Sequence, residues 1–267
     1  IYPINNMIEE NIIKLLNEYK AVYYDKDKYG TYFFKVTNSY IAFNLAAKLV
    51  EQGLVEYAEP VFKTNIKLFD DPLYNEQYYL NNTGQLIDGS VGIIDMDIDA
   101  PEAWTITKGN NIRVAVIDDG VDLCPVHEDL LGNVLSGYTP NCKNNCDGRP
   151  QVCSNHGQAV AGIIAANHNN IGIKGIAPNI KIVPFRIFEC NNYGNTIAKT
   201  NKDIGEAINK AWDNFYCDIL SNSWGGGSPS NYITNAIDNA YNYGRGGKGC
   251  IIVFSAGNSY SSVAYPA

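Results

Sequence analysis

From Gly109 onward four apolar runs alternate with helix-length segments, and this alternation constrains the fold more than any other feature. The runs are IRVAVID (112–118), IKIVPFRIF (180–188), CDILSNS (217–223) and CIIVFSAG (250–257). Between them lie HGQAVAGIIAA (156–166), DIGEAINKAWDN (203–214) and NYITNAIDNAYNYG (231–244), the second opened by a capping-box-like Asp203/Glu206 pair. Apolar strands joined by helices form a parallel sheet covered on both faces. The expected class is therefore α/β, with a doubly wound, mostly parallel sheet. Sites in such sheets form beyond the carboxyl ends of the strands. Asp118, Ser223 and Asn258 all stand at or just past such ends.

Residues 1–68 follow a different grammar. MIEENIIKLLNEY places Ile8, Ile12, Leu15 and Leu16 on one helical stripe. AVYYD and TYFFKV flank a Lys-Tyr-Gly turn and read as a hairpin. A second helix runs through SYIAFNLAAKLVEQG, with Ser39 as N-cap and Gly53 as stop. VEYAEPVFKTNIK reads as a closing strand, which makes this segment a small α+β unit of its own.

Composition removes several function classes. A net charge of −8 argues against a nucleic-acid partner, because phosphate binding rests on clustered Lys and Arg. No apolar run approaches the ~18 residues of a membrane span. Seven cysteines suit disulfide stapling in an oxidising compartment, particularly Cys142, Cys146 and Cys153 in the polar stretch NCKNNCDGRPQVC. A secreted or extracytoplasmic location is expected. The first residue is Ile1, so any export signal is expected to lie outside the sequence. Zinc on those three cysteines and His156 is the weaker alternative, since no compact Cys-x-x-Cys knuckle is present. The pairing cannot be read from spacing, and an odd count implies a thiol that is free or paired elsewhere.

The stretch VAVIDDGVD (114–122) ends a buried strand on two adjacent acids. They could hold a metal, anchor a histidine, or form an ordinary strand exit. Of the three histidines, His127 and His168 read as structural, whereas His156 opens a helix packed through Gly157, Ala159, Ala161 and Gly162. A helix N-terminus disfavours positive charge, so a neutral imidazole able to act as a general base is expected. A strand-end carboxylate such as Asp118 would fix its tautomer.

VAVIDDGVD, then HGQAVAGIIAANHNNIGIKGIAP, SNSWGGG and VFSAGN, resemble four successive signatures of the subtilisin-like serine proteases. Aspartate precedes histidine, as in that family. The resemblance spans about Asp71 to the end. It implies that Asp118 is the triad aspartate, His156 the general base, and Asn258 the side-chain donor of the oxyanion hole. It places substrate as an extended strand along Ser223, Trp224, Gly225 and Gly226, with Ser255, Ala256 and Gly257 as another wall of the pocket. Asp119 stands where most members have Ser or Thr. Asp-Asp-Gly is similar to the kexin and furin branch, in which the second acid favours basic substrate side chains. The acidic cluster that follows Trp-Gly in that branch is missing, and Gln158 replaces the usual Thr.

The family nucleophile lies in a Gly-Thr-Ser motif beyond the Asn258 block, and no such motif occurs in this sequence. The serine is therefore expected in a C-terminal remainder, and the 267 residues alone are expected to be inactive. The resemblance further implies that residues 1–68 are a propeptide that docks on the peptidase portion (69–267), with processing around Lys67 to Asp70. It also implies a structural Ca²⁺ held by Asp71, Asp129, Asn167, Asn169, Ile171 and Ile173, through side-chain and carbonyl oxygens suited to a hard cation. The expectation is a serine endopeptidase precursor acting on peptides or proteins. The alternative is a non-catalytic relative that binds them.

Overall fold

The computed structural model describes residues 1–4, 8–61, 70–153, 155–258 and 262–267. The chain divides into two compact units, Ile1–Lys67 and Leu68–Ala267.

In the first unit, β1 (Tyr2–Pro3) precedes α1 (Glu10–Glu18), the hairpin strands β2 (Val22–Lys26) and β3 (Tyr32–Lys35), α2 (Ser39–Glu51) and β4 (Val55–Tyr57). The helical stripe predicted from sequence forms its core: Ile12, Leu15 and Leu16 of α1 meet Leu45 and Leu49 of α2 and Val55, with Ile8 packed against them. Two details differ from expectation. Asn38, not Ser39, caps α2, its side chain accepting the Ile41 N–H at 2.9 Å. A strand at residues 2–3 pairs antiparallel with β4 and has too few residues to show a period. The last expected strand stops at Tyr57, and its stretch from 62 to 67 lies outside the described residues. Gly53 ends α2 as expected, at φ +64°, a region glycine enters without steric cost.

The second unit begins with a 3₁₀ turn (Tyr74–Glu76), a short hairpin of β5 (Leu86–Ile87) and β6 (Ser90–Val91), and α3 (Ala100–Ile106). Then come β7 (Arg113–Asp118), α4 (His156–Ala165), β8 (Lys181–Arg186), the small hairpin β9 (Phe188–Cys190) and β10 (Thr196–Ala198), α5 (Asn201–Asp213), β11 (Ile219–Asn222), α6 (Asn231–Gly247) and β12 (Ile251–Phe254). The main sheet has the order β12-β11-β7-β8, with every neighbouring pair parallel.

Alternation along β7 shows why its run is continuously apolar. Val114 and Val116 face the layer containing Ala161 and Ala165 of α4. Ala115 and Ile117 face the opposite layer, with Ile204, Ala207 and Ile208 of α5 and Ile233 and Ala236 of α6. With a side-chain period of two, residue 118 returns to the α4 side. That parity brings the strand-end acid to the helix opened by His156.

α5 starts three residues earlier than the expected pair implied. Its capping box is Thr200 with Asp203: the Asp203 N–H donates to Thr200 Oγ1 at 3.2 Å, and the Thr200 N–H to Asp203 Oδ2 at 3.3 Å. Glu206 instead accepts the hydroxyl of Tyr138. Disulfides join Cys142 to Cys146 and Cys153 to Cys190. Those bonds consume the cysteines of the zinc alternative. Three thiols are free: Cys124 is exposed, Cys217 and Cys250 are buried.

Candidate active site

Asp118 and Asp119 lie at the carboxyl end of β7, 2% and 6% exposed. His156 is the first residue of α4, and its Nδ1 lies 2.8 Å from Asp118 Oδ1. An ionised carboxylate only accepts, so Nδ1 carries the proton in this pair and Nε2 is left with a lone pair. The His156 side chain is 57% exposed, leaving that nitrogen open to a reacting group. The Asp119 N–H also donates to Asp118 Oδ1, at 2.7 Å.

The electrostatics differ from the sequence-based expectation. The hydrogen bond with Asp118 raises the pKa of His156 above its ordinary 6.5, against a smaller lowering by burial, and the charges of Asp118 and Asp119 act in the same upward direction. Two carboxylates within reach favour the protonated ring, in the direction opposite to the helix dipole. Burial pushes the carboxyl of Asp118 up, while the bonds from His156 and the Asp119 amide pull it back.

Close approach of backbone makes this junction work. Gly120 takes φ +115°, and a Cβ there would meet Pro150 N at 2.5 Å. A Cβ on Gly157 would meet Gly120 O at 2.5 Å. Gln158, which departs from the family pattern, accepts the Asp122 N–H at 2.9 Å.

The other expected site residues flank the same sheet edge. Ile117, Asn222 and Phe254 are level in register, so the segments beginning at Ser223 and Ser255 leave the sheet beside Asp118. The Ser255 N–H donates to Asn222 O at 3.0 Å. Trp224 packs edge-on to Phe254, with ring centroids 5.4 Å apart. Gly225 and Gly226 are exposed, and the Gly226 N–H donates to Tyr265 O at 2.7 Å. Ala256, Gly257 and Asn258 are exposed in the turn after β12. Sequence reasoning missed the disulfide from Cys153, three residues before His156, to Cys190 in β9. Its cysteines are 37 residues apart, and only the fold puts them together.

The residues of the expected cation site also converge. Asp71 and Asp129 are each 3% exposed. Asn169 donates its N–H to Asp71 Oδ1 at 3.0 Å and its Nδ2 to Asp129 Oδ1 at 3.1 Å. The Ile173 N–H reaches Asp129 Oδ2 at 3.2 Å, and the Ile171 N–H donates to Asn169 Oδ1 at 2.6 Å. The Asn167 N–H donates to Asp129 O at 2.8 Å. Asp71 Oδ2 is buried with no hydrogen-bond partner, the kind of orphan acceptor that a hard cation satisfies. Two buried residues outside the expected set hold this loop in place. Asn133 Nδ2 donates to Asn167 Oδ1 at 3.0 Å, and Gln77 pairs with the Lys174 backbone through both ends of its amide. Asp118, Asp119 and His156 also bring three ligand-type atoms within 4.8 Å of one another. In that cluster His156 Nδ1 carries the proton shared with Asp118, so that nitrogen offers no lone pair to a cation, and both oxygens of Asp119 face N–H groups at the start of α4.

Residues 109–267 match the model of the subtilase family, more than half of the chain. The chain belongs to the subtilase family. A thermophilic serine proteinase from a Bacillus species is 35% identical over 79% of this chain and 46% of its own length. A calcium-dependent protease from a Nostoc species is 29% identical over 83% of this chain and 33% of its own length. This chain therefore spans less than half the length of either subtilase relative. Among solved structures, a serine protease of Aeromonas sobria superposes with a TM-score of 0.60 at 27% identity, over 76% of this chain and 35% of that one. The parallel sheet with helices on both faces is the subtilisin-like α/β fold.

Proposed function

We propose that this chain carries the acid–base half of a serine endopeptidase. The observation that carries the reading is the 2.8 Å contact between His156 Nδ1 and a nearly fully buried Asp118, with the rest of the imidazole exposed at the carboxyl edge of the sheet. In this reading His156 takes the proton of a serine hydroxyl supplied outside the 267 residues, and the oxygen attacks the scissile carbonyl. Asp118 stabilises the imidazolium that forms, which then protonates the leaving amine. Asn258 donates to the developing oxyanion, and peptide lies along Ser223 to Gly226 opposite Ser255 to Gly257. Residues 1–68 are the propeptide in this reading and the whole a zymogen, exported to an oxidising compartment where its disulfides persist.

Calcium is assigned to the loop of Asp71, Asp129, Asn167, Asn169, Ile171 and Ile173. The orphan oxygen of Asp71 and the name of the Nostoc relative support that assignment. The ion would supply charge compensation and rigidity away from the reacting atoms.

A fluorophosphonate probe on the intact protein tests the enzyme reading. Covalent labelling that disappears in His156→Ala supports it. A protein that binds peptides but never labels is the non-catalytic relative instead.

A further inference from the structure

Asp119 follows the acid that holds His156, and the family comparison of its motif would have it read a basic substrate side chain. Its surroundings point elsewhere. Oδ2 accepts the N–H of His156 at 3.0 Å, and Oδ1 accepts the N–H of Gly157 at 2.6 Å. These are the first two residues of α4, whose N–H groups have no partner inside the helix. The local N-cap, Asn155, provides no side-chain hydrogen bond. α4 is thus capped from the end of a strand 37 and 38 residues earlier in the chain. Gly157 sets the spacing, since a Cβ there would stand 2.9 Å from Asp119 Oδ1. A carboxylate can accept both N–H bonds at once, and its charge faces the positive end of the helix.

We propose that Asp119 is a positioning residue that clamps the start of α4 to the end of β7, keeping the imidazole of His156 seated on Asp118, and that it does not read substrate. The positioning role rests on His156 being the general base; the clamp itself does not. With both oxygens engaged and the residue buried, Asp119 has little left to offer a lysine or arginine of a peptide. Among the described residues, the charged groups acting on the imidazole are Asp118 and Asp119 alone. Both favour the protonated ring, so removing the charge of Asp119 lowers the pH at which His156 titrates.

Amide hydrogen exchange and histidine titration by NMR on the wild-type protein, Asp119→Ala and Asp119→Asn test this without requiring turnover. In Asp119→Ala the His156 and Gly157 amides should exchange about ten- to a hundred-fold faster, the loss expected for a hydrogen bond to a charged acceptor. His156 should titrate at lower pH in both variants. Asp119→Asn keeps one carbonyl acceptor and should retain partial protection, which decides the matter if the alanine variant does not fold. Unchanged exchange at both amides together with an unchanged titration would overturn the clamp. So would variants whose sole change is weaker cleavage of lysine-bearing peptides.

Discussion

Asp118 and Asp119 close the end of one strand, whereas Asp71 and Asp129 meet across a surface loop, and all four are less than a tenth exposed. At the strand end, the partners are a titratable ring and the amides that begin α4. At the loop, they are amides and a carboxamide, none of which changes charge near neutral pH. Each pair keeps one buried oxygen without a partner, Asp118 Oδ2 and Asp71 Oδ2. The difference teaches what a buried carboxylate is used for. Beside an exposed imidazole it tunes proton affinity; beside fixed dipoles it keeps a buried acceptor, the position our proposal gives to calcium.

Replacing Asp118 should break that comparison most severely. Asp118→Asn keeps the shape but lets the carboxamide stabilise the wrong ring tautomer, and about 10⁴-fold in kcat is the scale of that loss in serine-protease triads. Asn258→Ala comes next, at about 10²–10³ in kcat, a figure known from subtilisin itself. Active-site titration and peptide kinetics on the intact protein check both.

The pH profile sharpens the contrast. In the proposed mechanism His156 works deprotonated, and its carboxylate neighbours raise its pKa, so kcat/KM should fall on the acid side through a value above 6.5. Asp118→Asn should move that limb to lower pH. Asp71→Asn should leave it in place.

Calcium removal should act on the other pair. At free calcium about 100-fold above its dissociation constant, binding stabilises by ~2.7 kcal/mol, so a chelator should lower Tm by several degrees in a thermal melt. Asp71→Asn should remove most of that response, and Asp118→Asn should retain it. The smallest effect concerns Asp119: matched peptides with and without lysine near the scissile bond should be cleaved at equal rates.

Much of this was legible because the physics is local. Two-sided burial makes β7 a continuous apolar run, and the same alternation puts Asp118 on the side of α4. The helical stripe of Ile12, Leu15 and Leu16 could likewise be read directly. What escaped depends on partners distant in sequence. The bonds from Asp119 to the His156 and Gly157 amides could not be read, because the motif carries no sign that α4 lacks a local side-chain cap. The raised proton affinity of His156 depends on two carboxylates brought to it by the fold, while sequence shows only the helix start. The capping box of α5 opens at Thr200, three residues before Asp203, because Asp203 fits the pattern as cap and as N3 partner alike.

The central claim is that Asp118 holds the proton on His156 Nδ1 and thereby leaves Nε2 as the base. Nitrogen-resolved NMR titration of His156 in the intact protein and in Asp118→Asn measures this directly. The account predicts a ring protonated at Nδ1 that titrates above 6.5, with both properties lost in the variant. A ring protonated at Nε2, or a titration indifferent to the substitution, would contradict it.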